Sequence, residues 1–196
     1  KYGDMLGYTM KLIGYAHQVD GKAEVSVQPT FLSKNHPLSS VNDEYNAVYV
    51  YGEAVGETMF YGPGAGSLPT ATSVVSDIVA VVKNMRLGVN GKNTLLPQYE
   101  KNLKKADERL AKYFIRLHVR DEVGAFSELT KLFSAYSISF EKILQLPLEE
   151  KGLAEIVIVT HKATMENYQS VLQHIRDLSV VKGIQSFYRV EGDGLK

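Results

Sequence analysis

Hydrophobic positions fall into two blocks along this chain, each with its own rhythm. From Met10 to Gln18 and from Ala23 to Ser33 the residues are rich in Leu, Ile, Val, Tyr and Phe, with Asp20-Gly21 between them. That pair is a strong hairpin signal, so two antiparallel strands are predicted. Asn35-His36-Pro37-Leu38-Ser39-Ser40 interrupts the pattern, Asn46 to Tyr51 restores it, and Gly52-Glu53-Ala54 turns the chain into a strand from Glu57 to Tyr61. Ala71, Val74, Val75, Ile78, Val79 and Val82 then recur at the spacing of one helical face. The elements predict a sheet of about four strands backed by that helix. Such a sheet cannot cover both faces with one helix, so further chain, a second subunit, or both are expected to complete the core. Ile78→Asp would then bury a charge and unfold this region.

The polar stretch Gly88-Val89-Asn90-Gly91-Lys92-Asn93 and the charged run from Glu100 to Lys112 read as a linker ending in a short solvated helix. Beyond it the pattern restarts. Tyr113, Ile115, Leu117 and Val119 alternate with Phe114, Arg116 and His118, which predicts a strand with one buried face. A helix follows with Phe126, Leu129, Leu132, Phe133 and Tyr136 inward, and Asp121 is placed to cap its free N–H groups. Ile138 to Leu146 and Leu153 to Thr160 read as strands joined by Pro147-Leu148-Glu149-Glu150-Lys151-Gly152. Thr164 caps a second helix with Tyr168, Val171, Leu172 and Ile175 inward, and Ile184 to Val190 is the last strand. The order βαββαβ packs two helices on one face of a four-stranded antiparallel sheet. The fold class is therefore α+β: a mixed or antiparallel sheet with a backing helix in residues 1–88, a linker over 89–111, and a ferredoxin-like βαββαβ module over 112–196.

Composition narrows the function classes. Hydrophobic content of 44% against 22% charge is that of a globular protein, and 22 basic residues cancel 22 acidic ones. No broad field draws this chain to nucleic acid or an acidic membrane. The absence of cysteine excludes disulfides and thiol nucleophiles and fits a cytoplasmic protein. No apolar run reaches the length of a membrane span, and Lys1-Tyr2-Gly3-Asp4 has no signal-peptide character. Without an initiator methionine the chain reads as a cut piece.

The candidate chemistry lies between Tyr61 and Asp77, where a glycine-rich loop runs straight into a helix. Gly62, Gly64 and Gly66 alternate with Pro63 and Ala65, and glycines let another molecule approach the backbone closely. Pro69 and Thr70 suit the helix's first turn, whose free N–H groups would face an anionic or carbonyl-bearing guest. In a full-length protein, Gly64→Val would then damage cofactor-dependent turnover more than stability. The spacing is not the dinucleotide fingerprint, and Val82-Lys83 stands where a ribose-binding acid would be wanted. Any cofactor contact would come from the far side of a nucleotide held mainly elsewhere. His36, before Pro37, reads as a turn residue, Lys11 and Glu57 as charges on solvated faces, and His17 with His36 lacks metal-ligand spacing. No catalytic residue and no metal site is expected within the chain.

The string GPGAGSLPTATSVVSDIV, residues 62–79, closely resembles the glycine-loop signature of homoserine dehydrogenases. Lys11-Leu12-Ile13-Gly14-Tyr15-Ala16, Val25-Ser26-Val27-Gln28-Pro29-Thr30, His36-Pro37-Leu38, Asn46-Ala47-Val48 and Gly56-Glu57-Thr58-Met59-Phe60-Tyr61 resemble that family's blocks in the family's order. Arg120-Asp121-Glu122-Val123-Gly124-Ala125-Phe126-Ser127-Glu128-Leu129, followed by Tyr136 to Ile143, resembles the opening of an ACT domain. The resemblance implies the carboxy-terminal part of such an enzyme, without its nucleotide-binding domain and catalytic lysine. NAD or NADP would be held mainly by that missing domain, with Gly62, Pro63, Gly64, Ala65 and Gly66 beside the nicotinamide. The ACT module would take a small amino acid, threonine first, through Asp121, Glu122, Val123, Gly124, Ala125 and Phe126, in a homo-oligomer, dimer or tetramer. The intact enzyme would interconvert homoserine and aspartate semialdehyde. The alternative is a non-catalytic piece that pairs and senses.

Overall fold

The computed structural model describes residues 1–89 and 100–192. Helix α1 (Tyr2–Met5) leads into strands β1 (Tyr8–Val19) and β2 (Lys22–Ser33). Strands β3 (Tyr45–Gly52) and β4 (Gly56–Pro63) precede helix α2 (Ser67–Arg86). Strand β5 (Leu110–Arg120), helix α3 (Ala125–Ala135) and strands β6 (Phe140–Pro147), β7 (Leu153–Thr160) and β8 (Ala163–Thr164) follow. Helix α4 (Met165–His174) and strand β9 (Val181–Glu191) complete the order, so βαββαβ stands as expected with β8 as a short addition. The Asp20-Gly21 hairpin is also present, with φ of 52° and 72° at the two turn residues, as a tight right-twisted hairpin requires. A short 3-10 turn, Ala106–Glu108, is the ordered helical part of the charged run. The stretch Asn90–Asn93 of the expected linker lies outside the described residues.

The chain forms two compact units, residues 1–39 with 102–196, and residues 40–101. This division cuts across the expected first domain. The predicted four-stranded sheet is not formed: β1 and β2 join the βαββαβ module, and β3 pairs only with β4 among the described residues. In the first unit the strand order is β1-β2-β9-β5-β7-β6, with β8 on β5. The junction is parallel, Thr30, Phe31 and Leu32 of β2 against Arg189, Val190 and Glu191 of β9. Ala23 N–H donates to Asn102 O at 2.8 Å and Lys104 N–H to Ala23 O at 2.9 Å, so the returning chain clasps the hairpin.

That junction gives the module's sheet two covered faces. On one, Ile115, Leu117, Leu129, Phe133, Ile156 and Val171 form the core under α3 and α4. On the other, Tyr8, Phe31, Phe114, Val157, Val159 and Val190 form a smaller core. Phe114, expected on the polar face of β5, is buried there because Phe31 of the hairpin lies 4.7 Å from its ring. Thr164 caps α4 as expected, its side chain accepting from Asn167 N–H at 3.2 Å. Asp121 does not cap α3. Gly124, at φ 95°, takes that position, where a residue without Cβ adopts the left-handed turn at low cost.

In the second unit α2 is capped by Gly66 and runs 20 residues from Ser67 with none buried. Val74, Val75, Ile78, Val79 and Val82 are exposed, so the expected backing of the sheet by this helix is not realised among the described residues. The apolar stripe has no partner among the described residues to cover it. Ile78 is 56% exposed, which reverses the expectation for its substitution. In this chain Ile78→Asp should change unfolding free energy by less than about 0.5 kcal/mol, measured by urea titration, because no charge is buried. A loss of several kcal/mol would mean that the helix is covered after all.

Candidate cofactor loop and amino-acid site

The loop of the second unit leaves β4 at Pro63 and enters α2 with Gly66 at φ 123°, a conformation that a side chain strongly disfavours. Thr70 N–H closes the first turn on Gly66 O at 3.2 Å. The N–H groups of Ser67 and Leu68 precede the first intrahelical bond and point out of the helix end. Gly62 is half-buried, and Pro63, Gly64, Ala65 and Gly66 are exposed, so a ligand can reach the backbone. Gly64 also has a structural reason: its N–H donates to Glu44 O at 2.7 Å, and a Cβ would collide with the Asn46 side chain. Gly64→Val therefore loads the fold as well as any ligand contact. At Gly62 a Cβ meets nothing within 4 Å, which makes it the position that reports on ligand approach alone.

In the first unit the loop before α3 lies beside the β6–β7 turn, with Asp121 N–H donating to Gly152 O at 2.9 Å. Asp121, Glu122, Val123 and Gly124 are exposed, Phe126 is half-buried and Ala125 is buried against the core. Ala125 N–H is engaged with Glu122 O at 3.2 Å, and Glu128 N–H closes the first turn on Gly124 O at 3.0 Å. The Ala125 donor is therefore taken, while Phe126 and Ser127 carry N–H groups that precede the first intrahelical bond and can meet a carboxylate. Glu122 stands 4.0 Å from Arg120, which leaves Asp121 as the carboxylate open to an ammonium group. Strand β6, beside this loop, pairs only with β7 among the described residues, whereas β9 at the opposite side already carries β2.

His36 is a turn residue as expected, accepting at Nδ1 from Leu38 N–H at 3.1 Å, though it is buried rather than solvated. Among the described residues no cluster of His, Asp and Glu could hold a metal ion, and no helix is long and apolar enough to cross a membrane.

Two charge clusters were not legible in sequence. Glu155 is 1% exposed on the face of β7 opposite the helices, where Arg116 and Tyr2 donate to it and His118 Nε2 lies 3.4 Å away. Burial alone would raise its carboxyl, but the hydrogen bonds from Tyr2 and Arg116 more than reverse this and hold it below the ordinary value. Glu24 is 4% exposed and accepts from Arg189 at 2.6 Å, which also donates to Glu191 at 2.6 Å. Burial disfavours the Arg189 charge, and the two carboxylates more than offset that. The only sequence signal was the presence of Glu155 inside the otherwise apolar run of β7.

Comparison with known proteins divides the chain by sequence rather than by these two compact units. Residues 1–79 match the homoserine dehydrogenase family and residues 113–180 the ACT domain. The chain is 61% identical to the homoserine dehydrogenase of Bacillus subtilis over 98% of its own length and 45% of the relative's. Identity to that of Corynebacterium glutamicum is 37%, over 95% and 42% of the two chains. The crystal structure of a homoserine dehydrogenase from Thiobacillus denitrificans matches with a TM-score of 0.82 at 29% identity, covering 98% of this chain and 44% of that one. That of Staphylococcus aureus matches at 0.60 and 33% identity, covering 97% and 44%. The chain thus spans less than half the length of the relatives it matches. Over the span it shares with them, the chain is similar to the homoserine dehydrogenases in its first part and to ACT domains in its second.

Proposed function

We propose that these residues are the assembly and regulatory portion of an NAD(P)-dependent homoserine dehydrogenase, a cytoplasmic enzyme interconverting L-homoserine and L-aspartate 4-semialdehyde in threonine and methionine biosynthesis. The observation that carries this is the exposed Gly62–Gly66 loop opening into α2. It offers backbone donors and room at Gly62 but no charged side chain. Such a cradle suits the carboxamide end of a nicotinamide rather than its phosphates, which need cations or a fuller nest of N–H groups. When bound, the nicotinamide supplies the hydride acceptor or donor. The chain's own part is to orient that ring through N–H groups.

The ACT module is the amino-acid sensor in this reading, with threonine, the pathway's end product, as first candidate. The ligand's carboxylate meets the start of α3 and its ammonium group meets Asp121, since opposite charges at two points fix an amino acid's orientation. Pairing of two modules through the unpaired edge of β6 would place this loop at the seam of a dimer or of a tetramer built from dimers. Binding would act on turnover by favouring one arrangement of the linked parts.

For these 196 residues alone we infer pairing and sensing without turnover. Purified chain incubated with homoserine and NAD or NADP should give no reduced nicotinamide by absorbance, while a full-length relative reacts in parallel. Turnover near the relative's rate would overturn the assignment of the chemistry to residues outside this chain.

A further inference from the structure

A cavity lies at the other edge of the ACT module, where β2 of the hairpin and helix α4 flank strand β9. Its volume is about 510 Å³, within the range of small-molecule sites. Pro29, Met165, Tyr168, Leu172 and Phe187 supply apolar walls. The floor is rigid: the Tyr113 and Tyr168 rings stack in parallel at 3.8 Å, and Tyr168 is buried. Phe187 stays 51% exposed at the mouth, an aromatic face held open to solvent.

One cation at this cavity has no carboxylate partner among the described residues. Arg109 is half-buried and lines it, with Nε donating to Lys104 O at 3.1 Å and a terminal nitrogen 3.9 Å from Met165 Sδ. It forms no ion pair with a carboxylate among the described residues. Arg189, by contrast, is neutralised by Glu24 and Glu191. Arg109 is also fixed in place, because its own carbonyl accepts from Met165 N–H at 2.8 Å. A positioned guanidinium beside an apolar wall is complementary to a carboxylate on an apolar body.

We propose that this cavity is a second ligand site, separate from the loop at Gly124, which binds a small aromatic or branched apolar carboxylate. The carboxylate pairs with Arg109 and the body lies between Leu172, Tyr168 and Phe187. Because its walls come from both the hairpin and the ACT module, a ligand there binds only their docked arrangement and stabilises it.

Phenylacetate is the probe, with benzyl alcohol as its uncharged counterpart, titrated calorimetrically into the full 196-residue chain. Phenylacetate should bind saturably and benzyl alcohol about tenfold or more weaker, the value of a charge-assisted pair. Arg109→Gln should weaken phenylacetate by about the same factor. Phe187→Ala, at an exposed position with little bearing on folding, should weaken both probes, and Asp121→Ala should change neither. The proposal fails if phenylacetate does not saturate, if a folded Arg109→Gln or the Phe187→Ala chain binds it unchanged, or if Asp121→Ala abolishes binding.

Discussion

Replacing Phe31 with alanine will lower the unfolding free energy of the first unit by about 3–5 kcal/mol, the usual cost of removing a buried phenylalanine. Phe31 is 8% exposed and its ring meets those of Phe114 at 4.7 Å, Tyr188 at 5.4 Å and Tyr8 at 6.2 Å. Gly3 lies against the same ring so closely that a Cβ there would overlap it. The residue sits in the three-residue parallel junction of β2 with β9, so its loss loosens the hairpin and the ACT module together. Urea unfolding followed by circular dichroism should show one transition, shifted as a whole. A cost under about 1 kcal/mol, or a hairpin that melts separately before an unchanged module, would show that the two do not fold as one.

The second large effect is expected at Glu155. Glu155→Gln removes the charge that pairs with Arg116 and accepts from Tyr2, in a position only 1% exposed. Breaking a fully buried pair is costly, but the Arg116 side chain keeps 34% of its exposure, so about 2 kcal/mol at neutral pH is the expected loss. The pH dependence has a definite sign. A carboxyl held below its ordinary value of 4.5 stabilises the fold fully above that pH, and the contribution fades as pH falls through the lower folded value. The gap between wild type and Glu155→Gln should therefore be constant from neutral pH down to about 5 and close below that. A gap that widens in acid, or a variant as stable as wild type at pH 7, would contradict the pairing.

Local chemistry made much of this fold legible. Asp20-Gly21 could only be a tight turn, Thr164 could only profit as a cap, and the alternation of Tyr113, Ile115, Leu117 and Val119 fixed one face of β5. What sequence did not show was partnership across distance. The β2–β9 junction joins residues 159 positions apart through three residues, and parallel pairing leaves no local signature. Without it, Phe114 fell on the polar face of its strand and Glu155 had no visible partner. With it, both are interior. The α2 stripe was read correctly as one helical face, but periodicity says only that such a face exists, not that this chain covers it. In the two candidate loops, Gly66 and Gly124 stood out because a positive φ selects glycine locally. Arg109 was missed because its neighbours come from β2, α4 and the returning chain.

The account rests on the ACT module sensing an amino acid at the Asp121 loop, and calorimetry on the full chain with threonine, methionine, isoleucine and lysine tests this most directly. Threonine should give a saturable heat that disappears in Asp121→Ala and persists in Arg109→Gln, because the carboxylate facing the ammonium group lies in the loop before α3 and Arg109 lies at the other edge. No heat from any of the four amino acids on wild-type chain, or threonine binding unchanged by Asp121→Ala, would contradict it.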